Sequence, residues 1–148
     1  MAGIQNLVDG LMSCDNKQAY QCLKQLEGES SKSAVVYPFF DIFVGMLKNT
    51  NSYIRTRGII LIAANSKWDV DYKIDEIIDI YLKYITDDKP ITARQCIKVL
   101  PVIAKYKPDL KQDIENALQR ANPTRYKDSM QSLVMKDIQK ALTDIQNL

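Results

Sequence analysis

Apolar residues recur along this chain at helical spacing, and nowhere does a sustained strand-like alternation replace it. The clearest stretch places Ile74, Ile77, Ile78, Tyr81, Leu82 and Ile85 at i, i+3, i+4, i+7, i+8 and i+11, one face of an amphipathic helix. Ile4, Leu7, Val8 and Leu11 mark a first helix over residues 3–12. Ala19, Cys22, Leu23 and Leu26 mark a second over 16–27, with Asp15 as its N-cap. The small, polar stretch 28–33 reads as a break. A third helix, with Pro38 near its first turn, carries Phe39, Phe40, Phe43, Met46 and Leu47 to about residue 48. Residues 49–52 form a turn that can cap a fourth helix over 53–65. That helix is apolar nearly all round, which predicts cover on several sides and puts Ile60 and Ile62 in the core with Ile78 of the fifth.

Asp69 or Asp71 can cap the fifth helix, and Pro90 opens the sixth, whose inward residues are Ile97, Leu100, Ile103 and Ala104. Pro101 lies inside it and removes a backbone hydrogen bond, so a kink is expected. Pro108 opens a seventh helix with Leu110, Ile114, Ala117, Leu118 and Ala121. The eighth shows Met130, Leu133, Val134, Ile138, Ala141, Leu142 and Ile145 on one face. Short connections make neighbouring helices antiparallel. The expected fold is all-α, as four antiparallel hairpins in one domain over 1–148.

Two segments echo each other. Residues 51–57 precede the apolar run 58–64, and residues 88–94 precede the helical run 95–104. Ile54 matches Ile91 and Arg57 matches Arg94, each at a spacing of 37 residues. A period of that size is the mark of stacked helical hairpins, an α-solenoid. Such arrays offer an extended surface to a partner.

The echo resembles HEAT repeats, which place a small capping residue, an aliphatic and an arginine at the start of each second helix. Asn51, Ile54 and Arg55 match that pattern; Asp88 and Ile91 match it again, with Thr92 in place of the arginine. The resemblance covers about residues 36–121 well and the ends loosely. The whole chain is also similar to short bacterial HEAT-like proteins, some bearing an iron–sulfur-assembly label. The resemblance implies a superhelical binding scaffold.

Composition narrows the chemistry. Of 148 residues, 46% are hydrophobic and 26% charged, the balance of a globular chain. The net charge of +2 demands neither nucleic acid nor an anionic membrane. No apolar run is long enough to span a bilayer and the first residues lack the pattern of a signal peptide, so the cytoplasm is the expected location. Cys14, Cys22 and Cys96 have no metal-ligand spacing, and the chain has no histidine to complete a site. All three are therefore expected buried and reduced, with no metal and no cofactor. The same scatter offers no thiolate set for a cluster.

Without imidazole or a nucleophile or phosphate-loop motif, the chain reads as non-catalytic, with no small-molecule substrate. Residues 69–83 hold five carboxylates against two lysines, and residues 89–111 hold six basic residues against one aspartate. In a stacked hairpin these become an acidic outer helix beside a basic inner one. The expected function is a scaffold that binds a protein or peptide, acidic by charge complementarity, through Arg57, Trp68, Arg94, Lys98 and Lys105. Taken singly, each arginine reads first as a structural tie to a turn carboxylate or to the carbonyls of the preceding repeat, and Trp68 as a core cap between two repeats. A nucleic-acid backbone binder is the second reading of the same basic residues, and a small DNA-repair enzyme at Trp68-Asp69 the third.

Overall fold

The helical spacing is realised throughout. The computed structural model describes residues 3–148, and among them it contains eight α-helices, short 3₁₀ turns and no strand. The helices are α1 (Ile4–Gly10), α2 (Asn16–Lys32), α3 (Phe40–Met46), α4 (Ser52–Ala64), α5 (Lys73–Leu82), α6 (Pro90–Tyr106), α7 (Lys111–Arg120) and α8 (Asp128–Gln146). None is long and apolar enough to cross a membrane. The chain divides into two compact units, Met1–Tyr72 and Lys73–Leu148.

In the first unit α1 packs on α2, α3 on α4, and α2 on α4. Asp15 caps α2, its carboxylate accepting from the Lys17 and Gln18 amides at 3.1 and 3.3 Å. Asn51 caps α4, accepting from the Tyr53 amide at 2.9 Å. The α3–α4 contact is close because Gly58 has no side chain: a Cβ there would lie 2.8 Å from the Phe43 carbonyl oxygen and 3.0 Å from Met46 Cβ. Leu11, Leu26, Phe40, Phe43, Leu47, Ile59, Leu61 and Ile62 are fully buried. The unit closes on Tyr72 at φ 58°, a left-handed conformation costly for a bulky side chain.

In the second unit α6 packs on α8, on α7 and on the 3₁₀ turn Lys83–Thr86 that extends α5, while α7 packs on α8. Pro90 stands at the start of α6, where its missing N–H costs nothing. Helix α6 continues through Pro101 as one element. Its inner face, Ala93, Cys96, Ile97, Leu100 and Ile103, is fully buried, as are Ile74 and Tyr81 of α5, Ile114 of α7 and Val134 of α8.

Several expectations need correction. Helix α2 does not break at Gly28 but runs to Lys32; Ser30 in its last turn is buried, its hydroxyl donates to the Leu26 carbonyl at 2.7 Å, and its own carbonyl accepts from the Trp68 indole at 2.7 Å. Ile60 is only half-buried; α4 presents Ile59, Leu61 and Ile62 inward and turns Ile60 toward the surface. Cys14 is exposed and Cys22 half-buried, so only Cys96 matches the buried expectation. Ile91 is 66% exposed whereas its sequence counterpart Ile54 is 6% exposed, so the two do not share an environment.

Candidate partner-binding surface

The five residues singled out by charge and repeat position meet three different fates. Arg57 and Trp68 belong to the first unit; Arg94, Lys98 and Lys105 lie together on α6 of the second.

Arg57 is buried at 5% exposure. Its Nη1 donates to the Leu11 carbonyl at 2.8 Å, and its Nη2 donates to Asn16 Oδ1 at 3.1 Å. Leu11 is the C-terminal cap of α1 and Asn16 the first residue of α2, so one guanidinium ties both flanks of that turn. Loss of hydration lowers the Arg57 pKa. Its neighbour Arg55 donates to the carbonyls of Asn49 and Thr50 at 3.0 and 3.1 Å.

Trp68 is half-buried, and its indole N–H donates to the Ser30 carbonyl at 2.7 Å. Nearby, the Asn65 side-chain amide donates to Ser30 Oγ and to the Leu61 carbonyl at 3.1 and 2.9 Å. Lys67 reaches the Ser31 carbonyl at 2.8 Å. The indole thus anchors the end of α4 to the last turn of α2. Asp69 is buried and accepts the Tyr37 phenol at 2.6 Å, with Asp71 a second acceptor at 3.3 Å. Burial, then the hydrogen bond to Asp69, push the Tyr37 phenol pKa up.

Arg94 Nε donates to the Asp137 carboxylate of α8 at 2.6 Å, with both side chains largely covered. Lys107, counted by sequence among the basic residues of this helix, is 8% exposed and pairs with Asp75 of α5 at 2.9 Å. The sum of charges over 89–111 therefore overstates the charge that α6 presents outward.

Lys98 and Lys105 are exposed, and among the described residues neither takes part in an ion pair. Lys105 Nζ lies 5.3 Å from the centre of the Tyr106 ring. Ile91 at 66% and Val102 at 40% exposure were missed as surface residues. Ile91, Gln95, Lys98, Val102 and Lys105 follow i, i+4, i+7, i+11 and i+14, so they form one stripe along α6. A signal existed in the sequence: the inward set Ile97, Leu100, Ile103 and Ala104 fixes the opposite face by helical phase.

No group of three or more histidine, cysteine or acidic side chains that could hold a metal ion occurs among the described residues. The site and the fold together define the class: an all-helical protein whose α6 displays a mixed basic and apolar stripe. Comparison with models of protein families, with curated proteins and with solved structures found no significant match.

Proposed function

We propose that the chain is a HEAT-like helical-repeat scaffold, non-catalytic, that binds an acidic protein segment along the exposed stripe of α6. Helix pairing supports the repeat reading. Consecutive elements pair as hairpins (α1 with α2, α3 with α4, α7 with α8), and alternate helices also touch, α2 with α4 and α6 with α8. That alternation is what stacked hairpins produce within each unit.

The observation that carries the binding reading is the exposure of Ile91, Lys98, Val102 and Lys105 on one helix face. Two ammonium groups, about 10 Å apart along the axis at 1.5 Å per residue, flank an aliphatic side chain. Such a stripe matches a partner with carboxylates two turns apart and an apolar residue between them. A phosphate backbone would draw on denser positive charge and make no use of Val102 or Ile91. Arg57, Trp68 and Arg94 support the scaffold in this reading, since each already serves an internal acceptor.

The test is capture of partners from native lysate by the wild type and by a Lys98→Glu/Lys105→Glu variant, with and without nuclease. The proposal expects a protein partner that survives nuclease and is lost with charge reversal. Recovery of nucleic acid alone, with binding that weakens steeply as salt rises, would replace it with the phosphate-binding reading.

A further inference from the structure

Gly28 invites the question of what it is for. It sits in the last part of α2, where glycine costs roughly 0.5–1 kcal/mol relative to alanine. No close packing requires it, since a Cβ built there would meet nothing within 4 Å. Gly58, by contrast, is required by the Phe43 carbonyl. Gly28 instead lines a cavity of about 500 Å³ between α1 and the C-terminal half of α2, within the size range of small-molecule sites.

The apolar walls of this cavity are Ile4, Leu7 and Val35, and its polar rim is Gln25, Glu29 and Lys32. Residues 25, 28, 29 and 32 share one face of α2. Glu29 is half-buried and Lys32 exposed. Among the described residues the Glu29 carboxylate takes part in no ion pair or hydrogen bond, although Lys32 stands one turn away. Glu29 is the more covered of the two charged side chains at the rim, which favours its carboxylate as the partner of a ligand held in the cavity.

We infer that the α1–α2 cavity is a binding site for a small apolar ligand bearing one primary ammonium. The apolar body lies over Gly28 against Ile4, Leu7 and Val35, and the ammonium donates to the Glu29 carboxylate. The glycine lets the ligand approach the helix backbone where any side chain would fill the space. This site lies in the first unit and is independent of the α6 stripe.

The test is a titration of the isotopically labelled full chain, followed by nuclear magnetic resonance, with hexylammonium, hexanol and hexanoate as probes. The inference expects saturable amide shifts around Ile4, Gly28 and Val35, with hexylammonium favoured about two- to fivefold over the other two, the effect of one ion pair that is not fully buried. Glu29→Gln should abolish that preference while leaving the weak binding of hexanol. Gly28→Leu should fill the cavity and abolish all binding without unfolding the helix, because leucine is the better helix former. Absence of saturable shifts at these residues, equal or tighter binding of hexanoate, or a preference that survives Glu29→Gln would each overturn it.

Discussion

Arg57 stands 46 residues from Leu11 in sequence and donates from Nη1 to the Leu11 carbonyl at 2.8 Å. The last carbonyls of a helix have no intrahelical partner, and a buried helix end needs one from elsewhere. Here the partner is a guanidinium from α4, which also holds Asn16 at the start of α2. Arg57→Leu should cost about 1.5–3 kcal/mol, the range for buried hydrogen bonds to a charged group. Arg57→Lys should recover only part, because one ammonium cannot reproduce the planar fork. Urea melts check both; a loss below about 0.5 kcal/mol for the leucine variant would mean that the tie contributes little.

Arg94 and Lys98 are one turn apart on α6 and should respond unequally to the same substitution. Arg94→Glu sets a second carboxylate against the largely covered Asp137 and should destabilise by about 1–3 kcal/mol. Lys98→Glu, on the exposed face, should stay within about 0.5 kcal/mol of the wild type. Thermal melts of the two variants check this, and equal losses would remove the distinction between scaffold and surface arginine and lysine.

Core packing gives a sharper contrast on α4. Ile62 is fully buried and Ile62→Ala should cost about 2–5 kcal/mol; Ile60, half-buried, should cost clearly less. Gly58→Ala should destabilise despite the better helix propensity of alanine, because the obstructing Phe43 oxygen is backbone and cannot swing away. A stabilising Gly58→Ala would contradict the close α3–α4 approach.

The helices themselves were legible because apolar spacing and proline positions report on the local chain. The α2 boundary was not: Gly28 reads as a breaker, and the contacts that hold the last turn of α2 come from far along the chain, from the Trp68 indole to the Ser30 carbonyl and from the Asn65 amide to the Ser30 hydroxyl. The fates of the basic residues were not legible either. Whether Arg57, Arg94 and Lys107 face solvent depends on Leu11, Asp137 and Asp75, each more than thirty residues away. Ile91 differs: its match to Ile54 in the repeat gave no hint that it is exposed, but the helical phase set by Ile97, Leu100 and Ile103 did.

Alkaline stability should track the buried phenols. Burial, more than the opposing pull of Arg125, raises the Tyr126 pKa to about 12, and its hydroxyl donates to the Asp87 carbonyl. A raised folded-state pKa means that the protonated form is favoured in the fold. Its contribution is therefore complete below the unfolded pKa of about 10 and is lost as pH rises toward 12. Tyr37 and Tyr81, raised mainly by burial as well, act in the same direction. Tyr126→Phe should flatten the fall of melting temperature across that window while lowering stability at neutral pH by about 1 kcal/mol for the lost hydrogen bond. An unchanged alkaline slope would exclude Tyr126 as a contributor.

The central claim is that the stripe of Ile91, Lys98, Val102 and Lys105 on α6 is the binding face. Its most direct test is a photo-crosslinking amino acid placed at Val102, and separately at the exposed Ile42 of α3 as a control, in nuclease-treated native lysate. The account predicts a discrete protein adduct from position 102, absent from position 42 and lost when Lys98 and Lys105 are both changed to glutamate. Adducts of equal yield from both positions, or an adduct at 102 indifferent to the charge reversal, would contradict it.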